Sequence, residues 1–279
     1  MKKRFDALDD LHVHSSEPKS LQEHLECLDE ANEILKKIPV ALRKDDTKSR
    51  LYRVSISEKH HGILYRRRED ASDILVTYWL SRVKSIACLF GAINNFPKFE
   101  SITQEEIKDV IALSPDTKNL SRLEGILAQK GIILIIEPAL PKLKTDGSVF
   151  INENGHAIIA LSLRFNRLDN FWFTLVHELA HLHLHKEQLT TPIIEDLETS
   201  ATSIIEKQAD KLAMELMIPR NVWRSNPCKY ERSNEVLIQF AADVGVHPAI
   251  VAGRIRRESG QYNIYNNIIN GFDLRAYFK

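Results

Sequence analysis

The sequence predicts an α+β fold, in which a short sheet lies among helices and a mainly helical N-terminal extension precedes it. Three apolar, β-branched segments follow one another at about 132–138, 148–152 and 156–163. The last two are joined by Asn-Glu-Asn-Gly, a turn signal typical of a hairpin. Helical periodicity dominates on both sides of these segments, so the sheet is expected to be small.

Several helices are predicted before the strands. Ser20 and Glu23 have the spacing of a capping box, which indicates a helix from about 21 to 37. Further apolar stripes at helical spacing predict three more helices, at about 70–90, 103–113 and 118–130. Gly131 follows the last stripe, where a glycine commonly ends a helix.

The composition argues against several classes of protein. Lys plus Arg and Asp plus Glu both number 38, so the net charge is zero, which gives no general electrostatic attraction to nucleic acid or an anionic membrane. We see no apolar run of membrane-spanning length and no signal peptide. The cysteines, Cys27, Cys88 and Cys228, are scattered and odd in number, as expected for reduced thiols. We therefore expect a cytoplasmic protein.

The most informative motif is HELAH, which contains His177, Glu178 and His181. The two histidines are one helical turn apart, so their imidazoles leave the same face and can converge on a cation. Glu178 lies about 100° round the helix, where its carboxylate can take a proton from a metal-bound water. Zinc lowers the pKa of such a water to about 7. The flanking segment 171–185 contains no Gly or Pro and keeps helical apolar spacing, so the motif is expected on a buried helix.

A catalytic zinc site needs a third protein ligand. Glu206 is the preferred candidate, because it lies on a predicted helix that ends at Pro219. Asp210 lies one turn further along and can accept the second N–H of a ligating imidazole. Three carboxylates in the preceding loop are alternative ligands: Glu195, Asp196 and Glu198.

Two more histidines follow the motif. His183 points to a different face of the predicted helix, and His185 lies roughly 12 Å along the helix axis from His177. Neither is expected to share the metal ion, and both are interpreted as solvated residues at the helix end.

The run FTLVHELAHLHLH, followed by EKQADKLAMELMIP, resembles the ImmA/IrrE family of bacterial and phage metallopeptidases. The resemblance also covers the strand-rich segment before the motif and FAADVGVHPAIVAGRIRRE after it, so it spans roughly 70–270. It implies a small zincin-like metallopeptidase domain, built from a short sheet, the HEXXH helix and a Glu-bearing helix. It also implies Zn²⁺ held by His177, His181 and Glu206, with Glu178 as the catalytic base.

The resemblance further implies a domain organisation and a function. Residues 1–68 are interpreted as a regulatory or partner-binding extension, and 69–279 as the zinc peptidase domain. That domain would comprise a helical lead-in, a catalytic core and a helical tail, at 69–130, 131–220 and 221–279. The implied activity is a zinc metallo-endopeptidase that cleaves a specific intracellular protein. Because several members cleave a helix-turn-helix repressor and others serve as antitoxin-type regulators, the expected partner is a repressor or a toxin–antitoxin or phage-defence protein.

A second function remains open, namely a non-proteolytic antitoxin or antirepressor that acts by protein binding. The intact Glu178 argues against it, because a purely structural zinc site needs no base. Residues 233–257 also look like a helix-turn-helix, with three arginines on the second helix: Arg254, Arg256 and Arg257. The neutral chain and the family's C-terminal tail make direct nucleic-acid binding the less favoured interpretation.

Two details of the site stay open in the sequence. The residue that stabilises the oxyanion has four candidates: Tyr262, Tyr265, His247 and Arg164. The strand at 156–163 is either the strand that pairs with an extended substrate or an interior structural strand.

Overall fold

The computed structural model describes most of the chain after residue 70. It covers residues 20–38, 71–189, 193–195 and 204–278, together with isolated positions between 40 and 55. The predicted domain boundary after residue 68 lies outside the described residues and stays a prediction.

The chain contains two compact units, Met1–Ser85 and Ile86–Lys279. In the first unit, the predicted helix is confirmed as α1 (Leu21–Lys37). Ser20 begins α1 by accepting a hydrogen bond at its Oγ from the backbone N–H of Glu23, at 3.2 Å.

Three helices precede the sheet, as predicted: α2 (Ala71–Ile93), α3 (Gln104–Ile111) and α4 (Leu120–Ala128). A complete capping box begins α3, in which Thr103 and Glu106 each accept a hydrogen bond from the other's backbone N–H. After α4, Gly131 adopts a positive φ of 73°, which turns the chain directly into the first strand.

The sheet has four strands: β1 (Ile132–Ile136), β2 (Gly147–Ile151), β3 (Ala157–Leu161) and β4 (Ile193–Glu195). Their spatial order is β1-β3-β2-β4. β1 and β3 run parallel, whereas β2 is antiparallel to both β3 and β4. Every residue of the central strand β3 is buried, which agrees with its continuous apolar sequence.

The three predicted strands are confirmed to within two residues at each end, and β4 was not predicted. The structure also decides the role of 156–163. β3 pairs with β1 on one side and β2 on the other, so both of its edges are used within the chain. The prediction that this segment pairs with substrate is therefore wrong, and the interior alternative is correct.

The HELAH segment forms α5 (Leu168–Leu184), which is buried along most of its length. α5 packs against β2 and β3 and against the next helix, α6 (Ile204–Met217). Five shorter helices follow α6 in the described residues: α7 (Arg220–Arg224), α8 (Asn234–Val244), α9 (Pro248–Ser259), α10 (Asn266–Ile269) and α11 (Leu274–Tyr277). Gly245, in the left-handed conformation, ends α8 just before Pro248 begins α9.

The three arginines of the helix-turn-helix-like segment make contacts within the chain. The guanidinium of Arg254 lies 4.3 Å from the ring centroid of Trp223 and donates to carbonyls at the end of α6. Arg256 is buried and donates to the carbonyl of Ile264 at 2.6 Å. Arg257 lies over the ring of Phe173 on α5. All three therefore help to hold α9 in place.

Among the described residues, no single helix combines the length and apolarity needed to cross a membrane. The bent pair α8–α9 meets these two requirements only when its helices are taken together.

Gly131 gives a test of how tightly the chain enters the sheet. A Cβ at this position would lie 2.5 Å from the carbonyl oxygen of Pro97 and 2.6 Å from the amide nitrogen of Phe99, and backbone atoms cannot move aside cheaply. We expect Gly131→Ala to lower the free energy of unfolding by about 2–4 kcal/mol in denaturant titration. Gly125→Ala is the matched control, because its Cβ meets nothing within 4 Å and alanine favours the helix by about 0.5–1 kcal/mol. Equal stability of the two variants would contradict this account.

Candidate metal centre

Two imidazoles from α5 and one carboxylate from α6 meet at a single point. His177 Nε2 and His181 Nε2 lie 2.9 Å apart. Glu206 Oε2 lies 3.2 Å from the first nitrogen and 3.4 Å from the second. Among the described residues, these three form the cluster that can hold a metal ion. Glu206 was the ligand preferred from sequence, and the structure brings it to both histidines.

The spacing of these three atoms suits a tetrahedral cation. Metal bonds of about 2.0–2.1 Å at tetrahedral angles place neighbouring ligand atoms about 3.3 Å apart. The three observed separations lie between 2.9 and 3.4 Å. Three atoms with lone pairs, two of them on fully buried rings, would repel one another without a positive charge between them. The residues present therefore fit a metal ion, and three protein ligands leave a fourth position open.

Asp210 holds the first histidine in the orientation that ligation needs. Its Oδ1 lies 3.1 Å from His177 Nδ1, on the opposite side of the imidazole from the cluster. A carboxylate only accepts, so Nδ1 carries the hydrogen and Nε2 keeps its lone pair for the metal. The other oxygen, Oδ2, lies 3.4 Å from the guanidinium of Arg257. The position predicted for Asp210 agrees with this geometry.

The environment favours the protonation states that bind a metal. Burial alone would raise the pKa of Glu206, but its contacts with the imidazoles of His177 and His181 outweigh this effect and lower the pKa to about 2. Burial also lowers the pKa of His181, which favours the neutral imidazole. An ionised carboxylate and neutral imidazoles are the forms that donate lone pairs to a cation.

Glu178 lies in the same buried turn, next to the first strand residue of β2. Its side chain is fully buried. A Cβ built on Gly147 would collide with Glu178 Oε1 and would lie 2.6 Å from Cγ2 of Thr174. Only a glycine therefore lets β2 pass this close to the carboxylate. The sequence analysis missed Gly147, because one glycine at the start of a strand has no distinguishing local pattern.

The expectation that His183 and His185 are solvated is wrong. His183 is half-buried, and its Nδ1 lies 2.7 Å from the carbonyl oxygen of Ile102. His185 is buried, and its Nδ1 lies 3.1 Å from Nδ1 of His181. Its Nε2 lies 3.0 Å from Oε1 of Gln208 on α6. The available signal was the i, i+4 spacing of His181 and His185, which repeats that of the two ligands.

The alternative metal ligands and the candidates for oxyanion stabilisation remain to be placed. The backbone of Glu195 is in β4, its side chain lies outside the described part, and so do Asp196 and Glu198. For the oxyanion, the four candidates have different environments. His247 caps α9, Tyr265 is buried, Tyr262 is exposed, and Arg164 Nη1 lies 3.5 Å from Asp146. The choice among these four stays open.

The HEXXH helix α5 presents two histidines, and the following helix α6 presents a glutamate to the same point. This arrangement is a metallopeptidase-type site. Residues 128–256 match the Peptidase_M78 family, described as the IrrE N-terminal-like domain. This match confirms the resemblance to the ImmA/IrrE family over this segment. No curated protein matches the chain significantly. The family assignment supports a peptidase that uses a metal ion.

Substitution of Glu206 tests the ligand set. We expect Glu206→Ala to lower the affinity for Zn²⁺ by more than about 100-fold, because one of three ligands is lost. Bound metal would be measured by competition with a chromophoric chelator. Glu215→Ala is the matched control, because Glu215 is an exposed glutamate on the same helix. Unchanged affinity in Glu206→Ala would move the third ligand to Glu195, Asp196 or Glu198.

Gly147 tests how closely β2 approaches the carboxylate of Glu178. We expect Gly147→Ala to lower the free energy of unfolding by about 1–3 kcal/mol, because the added methyl group overpacks the contact. The loss should be smaller in a Glu178→Ala background, where part of the collision is removed. Denaturant unfolding of the two single variants and the double variant measures this coupling. Strictly additive losses would show that Gly147 and Glu178 do not constrain each other.

Proposed function

We propose that this chain is a zinc-dependent endopeptidase that cleaves one or a few specific intracellular proteins in the cytoplasm. One observation carries the proposal: His177, His181 and Glu206 converge on one point, with Glu178 next to the first ligand on the same helix. The short sheet, the HEXXH helix and the Glu-bearing helix support a zincin-like description of the domain. The family assignment supports the metallopeptidase class.

Zinc is the proposed metal because of the donor set. Two imidazoles and one carboxylate are characteristic of catalytic zinc sites, in which a fourth position takes water or substrate. When bound, the metal supplies Lewis acidity, which lowers the pKa of a water and polarises the scissile carbonyl.

Glu178 performs the proton transfers in the proposed reaction. Its carboxylate accepts a proton from the attacking water while the water oxygen bonds to the carbonyl carbon. The same carboxyl group then donates this proton to the leaving nitrogen as the C–N bond breaks. Glu178 returns to its ionised form, so the net reaction consumes one peptide bond and one water. Asp210 meanwhile keeps His177 in its ligating tautomer.

The substrate class rests on resemblance alone. We propose a helix-turn-helix repressor or a toxin–antitoxin or phage-defence partner, because family members act on such proteins. Residues 1–68 are proposed to bind this partner or to regulate access to the site.

One observation favours the second candidate, a non-proteolytic antitoxin or antirepressor. The carboxylate of Glu178 is fully buried, and the edge of β2 beside it is already paired with β4. In this conformation, no free strand edge of β2 is available next to the proposed base. A protein that acts by binding alone would have no need to change this arrangement.

Glu178→Gln separates the two candidates. The amide keeps the size of the side chain but cannot accept the proton, so we expect metal binding to be retained and peptide hydrolysis to be lost by a factor of at least about 100. New protein N-termini would be compared in native host cells that express the wild type or the variant. Ends found only with the wild type would identify the substrate and its cleavage site together.

Glu187→Gln serves as the control, because Glu187 is an exposed glutamate shortly after α5. Identical N-termini for wild type and Glu178→Gln, with the biological effect intact in both, would contradict the peptidase proposal. The effect would then be assigned to binding.

A further inference from the structure

A second imidazole and an amide form a hydrogen-bonded chain behind His181, whereas a carboxylate lies behind His177. Gln208 Oε1 lies 3.0 Å from His185 Nε2, and His185 Nδ1 lies 3.1 Å from His181 Nδ1. The other ring nitrogen of His181 is the one that faces the cluster. His185 and Gln208 come from different helices, α5 and α6, so the chain joins the two helices that hold the cluster.

The donors and acceptors in this chain determine one another. A neutral imidazole has one N–H and one lone pair, so two imidazole nitrogens in a hydrogen bond must have opposite roles. If the amide oxygen of Gln208 accepts from His185 Nε2–H, then His185 Nδ1 has the lone pair. It accepts from His181 Nδ1–H, and His181 Nε2 keeps its lone pair for the cluster.

We propose that His185 and Gln208 are positioning residues that fix His181 in the tautomer able to bind the metal. This inference rests on the proposed metal site, because it assigns a role relative to it. The chain does for His181 what Asp210 does for His177, but without adding a second negative charge. Either imidazole would otherwise exchange between two tautomers, only one of which presents a lone pair at Nε2.

The geometry also excludes His185 as a fourth ligand to the same ion. Its Nδ1 contacts Nδ1 of His181, and the ligating nitrogen of that ring is on the far side. The ring of His185 therefore lies behind His181 as seen from the cluster. Within the described part of the chain, the cluster holds three ligands and no fourth, as a hydrolytic site requires and a closed structural zinc site does not.

Two substitutions of His185 test the proposal. Asn places an amide oxygen close to the position of the Nδ1 atom, so His185→Asn keeps an acceptor for His181 Nδ1–H, whereas His185→Leu removes it. We expect His185→Leu to weaken Zn²⁺ binding by about 10–100-fold in chelator competition. We expect His185→Asn to restore the affinity to within a few-fold of the wild type.

A second readout needs no metal. Long-range ¹⁵N–¹H correlation spectra of histidine-labelled, metal-free protein report which ring nitrogen of His181 carries the hydrogen. In metal-free protein the carboxylate of Glu206 competes for a hydrogen on His181 Nε2, which lies 3.4 Å from it. We therefore expect a larger share of the Nδ1–H form in the wild type and in His185→Asn than in His185→Leu. An unchanged share of the Nδ1–H form in His185→Leu, or an equal loss of affinity in the Asn and Leu variants, would overturn the proposal.

Gln208 provides variants that leave the core untouched, because it is exposed on α6. Gln208→Glu can only accept from His185 Nε2–H, so we expect it to keep the wild-type tautomer and affinity. We expect Gln208→Leu to weaken Zn²⁺ binding and to change the tautomer of His181, in the same direction as His185→Leu does. If the amide NH₂ of Gln208 donated to His185 instead, the chain would be reversed and the wild type would carry the hydrogen on His181 Nε2. Gln208→Glu would then change the tautomer of His181 and raise the affinity, and this result would overturn the proposal.

The spectra also separate this inference from the proposed function. Wild-type protein that bound no Zn²⁺ would contradict the metal site, whereas the tautomer of His181 would still be read directly. Wild-type protein that bound Zn²⁺, with unchanged affinity and tautomer in His185→Leu, would contradict only the positioning role.

Discussion

The burial of polar side chains on α5 is the constraint on which the rest of the domain depends. His177, Glu178 and His181 are all less than 2% exposed, and the burial of such groups is unfavourable unless each has a partner. α6 supplies partners for the two histidines, namely Glu206 for both of them and Asp210 for His177. The same contacts fix the register between the two helices, so the polar cluster and the helix packing stabilise each other. The arrangement of β2 against α5 follows, because only Gly147 allows the approach.

Much of the fold was accessible from local sequence pattern. Continuous β-branched segments and a strong turn signal identified β1, β2 and β3, since these features act over a few residues. Strand order depends on contacts distant in sequence, so the interior position of β3 was not decided. β4 has three residues, Ile193–Glu195, which is too short a segment to show a strand pattern, and it pairs with the edge of β2.

The candidate site divides in the same way. The i, i+4 spacing of His177 and His181, and the paired acids Glu206 and Asp210, express helix geometry and were readable directly. From sequence, His185 was considered only as a ligand of the metal, for which it is too distant. Its contact with the imidazole of His181, one helical turn away, was not considered. Gln208 lies on an exposed face of α6, and Gly147 acts through space on a helix more than 25 residues later. Such contacts appear only when the chain is folded.

The position of β4 has a consequence for how any extended polypeptide reaches the sheet beside Glu178. Backbone groups of β2 from Gly147 to Val149 are paired with β4 on one side and with β3 on the other. An incoming chain can use that edge only by strand exchange. β4 is tethered to the same molecule, so it competes at a high effective concentration that does not fall on dilution. β4, between α5 and α6, is therefore displaced only by a polypeptide that pairs with β2 more strongly than β4 does. Weakly pairing polypeptides are excluded from this edge.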